Sequence, residues 1–188
     1  MNKTELYKDA KELIEEGGLL GGLQLMEEAS DAGSIKATGF LAFGFYVGKN
    51  GLPQDYLLAE KYLLRFVEQA SPKNPDYAEA HCALGCIYYF GNAGKKDLEK
   101  AIIHFKESAE LGNLIAESYH SKATDKRDDR RLKWIYMPLI IGVIIIGSAL
   151  TAFLGWNSTL TFIISFVIVI GLILLYLHNS KKLWIKEE

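Results

Sequence analysis

The sequence predicts an all-α protein in which a short solenoid of helical hairpins is followed by a two-helix transmembrane hairpin. Two stretches of the first half repeat the same spacing of small and large residues. The second half contains a run, 134–177, without any Asp, Glu, Lys or Arg. Since one membrane-spanning helix needs roughly 20 apolar residues, this run is long enough for two.

The charges divide along the same boundary. Residues 1–125 contain 13 basic and 19 acidic side chains, whereas residues 126–133 contain 5 basic and 2 acidic ones. Proteins bind duplex nucleic acid chiefly by placing Lys and Arg on its phosphates, so the acidic first half argues against nucleic acid as a partner. We expect the partners to be a protein or peptide segment and, beside the basic stretch, membrane lipid.

Two segments of the first half match each other with an offset of 43 residues. Residues 37–48 and 80–91 both fit the pattern A-x-x-x-L-[GA]-x-x-[YF]-x-x-G. The small residues let two helices approach closely, the large ones fill the space between them, and the final glycine ends the helix. One such hairpin cannot bury its apolar face alone, so neighbouring hairpins must stack.

These segments resemble the Sel-one-like repeat family, a close relative of the tetratricopeptide repeat. The family pattern continues with G-[VI]-x-x-D-x-x-K-A and then A-A-x-x-G. Residues 80–112 match it well, with Asp97, Lys100 and Ala101 in the expected places.

The resemblance weakens away from that repeat. Residues 37 to about 70 match with gaps, because Ala42 replaces a glycine and residues 71–75 form an insertion. Residues 10–17 and 22–33 look like a degenerate first repeat, and a last helix begins near Leu114. We predict one Sel-one-like repeat domain over residues 1–123, with the membrane hairpin outside the resemblance.

The resemblance implies protein binding through a concave surface lined by the first helix of each repeat. Mapped onto this sequence, the lining includes Gly39 and Cys82 and eight residues that we predict to bind a partner: Lys36, Phe43, Tyr46, Val47, Glu79, Cys86, Tyr89 and Phe90. Aromatic residues facing a groove are good anchors for a partner. The alternative, that these side chains only pack against the next helix, stays open.

The uncharged run breaks once, at 155–159, which predicts spans over about 134–155 and 160–177. Pro138 would then lie in the first turn of the first span, where a missing amide hydrogen is tolerated. The flanking charges predict that both chain ends are cytoplasmic. These basic residues are Lys126, Arg127, Arg130, Arg131 and Lys133 before the hairpin, which we expect to face lipid, and Lys181, Lys182 and Lys186 after it.

The boundaries that follow are a charged juxtamembrane linker at 124–133, a two-span hairpin at 134–178 and a cytoplasmic tail at 179–188. The linker is expected to be helical. The first span carries a stripe of small residues, which predicts close helix packing. The stripe consists of Gly147, Ser148, Thr151, Ala152 and Gly155. It suits packing of the two spans against each other, and self-association into a homo-oligomer is the alternative.

The sequence offers little for catalysis, and we expect a protein that is not an enzyme and has no cofactor and no metal. His81, Cys82, Cys86 and His104 lack the spacing of a structural zinc site. Gly17, Gly18, Gly21 and Gly22 lack the lysine of a phosphate loop and are interpreted as a helix break. Two free thiols suit a reducing compartment. The N-terminus does not resemble a secretory signal. Since short membrane repeat proteins of this kind look bacterial, we expect a bacterial inner-membrane protein.

Three functions are compatible with these features. The first is a membrane-anchored interaction module at the cytoplasmic face, acting as an adaptor or as an immunity-type protein that binds a toxin. The second is a membrane-active effector, in which the repeats sense or oligomerise and the hairpin perturbs the bilayer. The third is an accessory subunit of a membrane complex.

Overall fold

The computed structural model describes residues 2–154 and 158–184. The chain divides into two compact units, Met1–Ala123 and Thr124–Glu188. All regular secondary structure in the described ranges is α-helical, as predicted. The helices are α1 (Lys3–Glu15), α2 (Leu19–Asp31), α3 (Ile35–Val47), α4 (Tyr56–Gln69), α5 (Tyr77–Phe90), α6 (Leu98–Glu110), α7 (Leu114–Leu154) and α8 (Ser158–Trp184).

The first unit is a solenoid of three helical hairpins. Helices α1 and α2, α3 and α4, and α5 and α6 pack as pairs, and the pairs stack through α2 on α3 and α4 on α5. The start of α7 adds to this stack, because Ala116 and Ala123 are fully buried in the common core. The prediction of a helical repeat solenoid is confirmed, and the degenerate first repeat forms a complete hairpin.

The two clear repeats have the same kind of turn between their two helices. Gly48 and Gly91 end α3 and α5 in the left-handed region, at φ 76° and 78°, where a side chain would be strained. The amide of Asp55 then donates to the carbonyl of Phe45, and the amide of Asp97 donates in the same way to the carbonyl of Tyr88. Each Asp side chain caps the following helix, which fixes where α4 and α6 begin.

The small residue in the middle of the repeat pattern sets the distance between paired helices. A Cβ on Gly85 would lie 2.5 Å from Cδ1 of Phe105, a side chain with no exposed surface. At the corresponding place in the previous repeat, Ala42 is fully buried. The apolar positions of the pattern fill the core around these contacts, since Leu41 and Leu84 are also fully buried.

The glycine cluster near the N-terminus behaves differently from the prediction. Gly17, with φ 91°, and Gly18 do separate α1 from α2. Gly21 and Gly22 instead lie within α2. A Cβ on Gly22 would clash with Ile14 of α1, so this glycine permits a close helix contact rather than a break.

Helix α7 runs through the predicted linker, which is therefore helical as expected. Pro138 lies inside this helix and not in its first turn, so that prediction was wrong. The reason is that helical backbone already precedes the apolar segment. A proline there leaves one carbonyl without its helical amide partner.

Among the described residues, one helix is long and apolar enough to cross a membrane. It covers Leu114–Ala149. The apolar part found in α8 is shorter, Ile163–Asn179. Of the predicted turn at 155–159, Ser158 and Thr159 belong to α8, and residues 155–157 lie outside the described part of the chain.

Candidate functional site

The first helices of the three hairpins line a cavity on one face of the solenoid. Its volume is about 460 Å³. Tyr7 of α1 and Phe66 of α4 contribute to its wall, α3 contributes most of the lining, and the insertion before α5 adds further lining residues. The lining consists of Tyr7, Ile35, Lys36, Gly39, Phe40, Phe43, Gly44, Val47, Lys49, Asn50, Phe66, Asn74, Asp76 and Glu79.

Four of the eight predicted partner-binding residues meet in this cavity. They are Lys36, Phe43, Val47 and Glu79, and Gly39, the small residue expected beside them, lies there too. Val47 exposes 46% of its surface although it is apolar. Phe43 is half-buried because its ring meets Phe66 edge to face, with the centroids 6.0 Å apart.

Several lining residues were not predicted from the sequence. Tyr7 belongs to the degenerate repeat, whose register could not be aligned to the family pattern. Phe66 lies on a second helix, which the concave-surface rule leaves out. Asn74 and Asp76 come from the insertion, where the Asn-Pro-Asp sequence indicated only a turn. The lysines at the two ends of α3 were visible in the sequence, but only Lys36 was chosen.

Tyr46 and Cys86 lie in a separate cluster between neighbouring repeats. The ring of Tyr46 meets Tyr56 edge to face at 6.0 Å. A hydrogen bond from the Cys82 thiol lowers the pKa of Cys86, burial opposes this shift, and a hydrogen bond from the Tyr46 hydroxyl adds to it. The same bond to Cys86, together with burial, raises the pKa of Cys82. Both cysteines are free thiols.

Tyr89 and Phe90 pack against the start of α7. The ring of Tyr119 lies 5.7 Å from Tyr89, 5.9 Å from Phe90 and 5.4 Å from Phe105. Phe90 still exposes 44% of its surface. This end of the predicted concave surface is thus partly covered by the chain itself, and the open part lies along α3.

A pair of histidines joins α5 to α6. The Nδ1 atoms of His81 and His104 are 3.1 Å apart, and His104 stacks on Tyr88. Burial, followed by the charges of His81 and Lys100, lowers the pKa of His104 to about 4. Burial also lowers the pKa of His81, against the opposing charge of Glu107. The Cys82 side chain lies in the Tyr46 cluster instead, so it does not contribute a thiol beside His81 and His104.

The basic residues expected to face lipid lie on α7. Lys126, Arg130, Arg131 and Lys133 are exposed, whereas Arg127 is half-buried and bonded to Asp128. The Lys133 ammonium donates to Asp129 over 2.6 Å, and this bond is the main cause that lowers the pKa of Asp129.

Within the second unit, α7 and α8 share polar contacts. The Tyr176 hydroxyl donates to Asp129 over 2.8 Å, and the Asn179 amide donates to the Tyr136 hydroxyl over 2.7 Å. Tyr136 comes after Asp129 in α7, but its partner Asn179 also comes after Tyr176 in α8. These two bonds alone therefore do not show whether the helices run antiparallel, and a third contact is needed. Gly147 supplies it, because a Cβ there would meet Ser165. Together these contacts run antiparallel.

The small-residue stripe is described only in part. Gly147 lies against Ser165, and Ser148 donates its hydroxyl to the carbonyl of Ile145. Ala152 is exposed. Gly155 and the side chain of Thr151 lie outside the described residues. The contact at Gly147 is of the kind expected for packing between the two helices.

The fold defines a class, the helical-hairpin repeat proteins. Within that class the chain matches the model of the Sel1 repeat, at residues 36–71 and 78–113. The resemblance inferred from the repeat pattern is therefore confirmed, and the chain contains two Sel1 repeats. Such repeats are scaffolds for protein–protein interaction.

Among solved structures, the crystal structure of a Sel1 repeat protein from Oxalobacter formigenes is similar. The two share 22% sequence identity with a TM-score of 0.45, over 61% of this chain and 46% of that one. This chain thus spans less than half the length of that protein. No curated protein matches the chain.

Proposed function

We propose that this protein is a membrane-anchored interaction module whose Sel1 repeats bind a partner protein at the cytoplasmic face of a bacterial inner membrane. The observation that supports this most directly is the cavity along α3. It gathers Lys36, Phe43, Val47 and Glu79 from two repeats into one open, partly apolar surface. Exposed aromatic and aliphatic side chains in a concave site supply binding energy when a partner removes them from water.

The anchor in this proposal is a hairpin of two spans. One helix of sufficient length and apolar character supports the first span. The antiparallel contacts of Tyr176 with Asp129 and of Gly147 with Ser165 support a return of the chain through the same bilayer. The exposed basic residues of 126–133 support a cytoplasmic position for both ends, by the excess of Lys and Arg on that side.

The function within this class is recruitment or neutralisation of the bound protein. An adaptor and an immunity-type protein both need a groove that is held near the membrane, and both fit the chain. The proposal does not involve the Cys86 or Tyr89 clusters, because their side chains are engaged with neighbouring helices.

Affinity purification from native membranes in mild detergent tests the proposal, with the bound proteins identified by mass spectrometry. The groove variant is Lys36→Glu with Val47→Glu. The matched control is Lys95→Glu with Leu57→Glu. Both positions are exposed and lie outside the cavity, and the control also changes one lysine and one aliphatic residue to glutamate. A partner retained by the wild type and the control but lost by the groove variant is the expected result. A partner held equally by all three proteins would place binding elsewhere and overturn the proposal.

A further inference from the structure

The cavity has unlike charges at its two ends. Lys36 is the second residue of α3, and Lys49 follows the end of that helix by two positions. Asp76 and Glu79 lie at the start of α5, and the 43-residue offset of the repeats makes Glu79 the equivalent of Lys36 at the start of α3. This end therefore carries two carboxylates and one ammonium group, whereas the other end carries the ammonium group of Lys49 alone.

These charged side chains are available to a ligand. All four are exposed, and none forms an ion pair with a residue in the described ranges. Asp76 occupies the position before α5, but its carboxylate makes no capping hydrogen bond. Its backbone amide is instead bonded to the side chain of Asn74. The carboxylate is thus not required by the helix.

The middle of the cavity is apolar. Phe40, Phe43 and Val47 lie on α3 with the spacing of one helix face, and Phe66 supports Phe43 from behind. No charged side chain of the lining lies between positions 36 and 49 on α3. A large apolar side chain of a ligand would be removed from water here.

The length of the cavity suits a short extended segment. The lining follows α3 from Ile35 to beyond its end, a length of about 20 Å at 1.5 Å per residue. An extended segment of that length can reach from the Asp76 and Glu79 end to Lys49.

We propose that the cavity binds an extended segment of the partner protein, about six residues long, with a basic residue at the Asp76 and Glu79 end, a large apolar side chain on Phe40 and Phe43, and an acidic residue at Lys49. The length follows from about 20 Å at about 3.3 Å per residue. This inference rests on the proposed function and names the chemistry of its partner.

Selection of peptides tests this charge pattern. The bait is the full chain in phosphatidylcholine nanodiscs, and the probe is a library of random seven-residue peptides displayed on phage. Wild type is compared with a rim variant, Asp76→Lys with Glu79→Lys. The matched control is Glu28→Lys with Glu68→Lys, exposed carboxylates on α2 and α4 that lie outside the cavity.

The wild type and the control should enrich peptides that place a Lys or Arg about five positions from an Asp or Glu, with an aromatic or large aliphatic residue between them. The rim variant should bind those peptides about tenfold more weakly, since each exposed ion pair contributes up to about 1 kcal/mol. It should instead select an acidic residue in place of the basic one.

Two other outcomes would overturn the inference, and they differ in what they say of the proposed function. Enriched peptides without the charge pattern, or with the same pattern on the rim variant, would contradict the named chemistry while leaving a peptide-binding groove. No enrichment on any of the three proteins would contradict both the inference and the use of this cavity for binding.

Discussion

Gly85 decides how closely α5 and α6 approach each other. A Cβ at this position would lie 2.5 Å from Cδ1 and 2.6 Å from Cε1 of the Phe105 ring. That ring is fully buried and is also stacked on Tyr119, so it has no free space into which to move. The absence of a side chain at position 85 therefore allows α5 to pack closely on the Phe105 ring, which in turn packs on the start of α7.

Gly85→Ala should therefore destabilise the repeat domain by about 1–3 kcal/mol, the usual cost of an added methyl group in a packed core. The measurement is thermal unfolding of the full chain in detergent, followed by circular dichroism. Gly21→Ala is the control, since its Cβ would meet only the end of the Leu13 side chain, at 3.0 Å. Equal stability of the wild type and Gly85→Ala would contradict the packing described for this helix pair.

The histidine pair makes stability depend on pH. The pKa of His104 is lowered from 6.5 to about 4 in the folded protein, mainly by burial. At pH values between these two pKa values, His104 binds a proton in the unfolded chain but not in the folded one, so acid favours unfolding. Stability should be constant above about pH 7 and fall between pH 6.5 and 4, by up to about 1.4 kcal/mol per pH unit for one proton.

His104→Phe should reduce this pH dependence while retaining the stack on Tyr88. The variant should be less stable at every pH, because His81 loses the partner of its Nδ1 atom, so the comparison is between slopes and not between absolute values. Urea unfolding at several pH values between 4 and 8 provides these slopes. The same slope in the wild type and the variant would show that other groups cause the acid sensitivity.

At the scale of the elements, the helix boundaries depend on short capping motifs. The Asp55 carboxylate accepts hydrogen bonds from the amides of Leu57 and Leu58, at 2.9 Å and 3.0 Å. Asp97 accepts one from the amide of Lys100, at 3.1 Å. These carboxylates accept hydrogen bonds from amides that have no partner within the helix. Their negative charge also interacts favourably with the positive end of the helix dipole.

Asp55→Ala should lower the free energy of unfolding by about 1 kcal/mol, because two amides of α4 lose their acceptor. Asp55→Ser should retain most of that stability, since a serine hydroxyl accepts the same bonds. Chemical unfolding of the full chain in detergent measures both. An Asp55→Ala protein as stable as the wild type would mean that water replaces the cap without cost.

Much of the fold was predictable from the sequence because the repeat pattern indicates where helices end and where they approach each other. Gly48 and Gly91 mark the helix ends, and the small residues at 42 and 85 mark the close contacts. Pro138 was misplaced because its position was counted from the start of the apolar segment, where proline is usual in a first turn. The linker before it was itself expected to be helical, and it forms one helix with that segment.

Less of the candidate site was predictable. The family pattern selected Lys36, Phe43 and Val47, which line the cavity along α3. It could not show that Tyr119 would occupy the space beside Tyr89 and Phe90. That contact depends on how the last helix packs, and the sequence of this helix departs from the repeat. The contribution of Asp76 depends on the fold of an insertion, for which the repeat pattern has no equivalent.

At the scale of the whole molecule, the proposal requires both chain ends on one side of the membrane. In a Cys82→Ser, Cys86→Ser background, Asn157→Cys should react with a membrane-impermeant maleimide in intact cells. Lys95→Cys, on an exposed loop of the repeat domain, should react only after the membrane is opened. Labelling of Lys95→Cys in intact cells would contradict the cytoplasmic position of the repeats.

The central claim is that the α3 face contacts a partner protein while the chain is in its membrane. Site-specific photo-crosslinking tests this most directly, with benzoylphenylalanine incorporated in living cells at Val47 or, as the control, at Leu57. These positions expose 46% and 65% of their surface, so the control is the more accessible of the two. If the α3 face contacts a partner, a discrete crosslinked protein should appear in the membrane fraction from position 47 and none from position 57. Crosslinks of equal yield from both positions, or from position 57 alone, would contradict it.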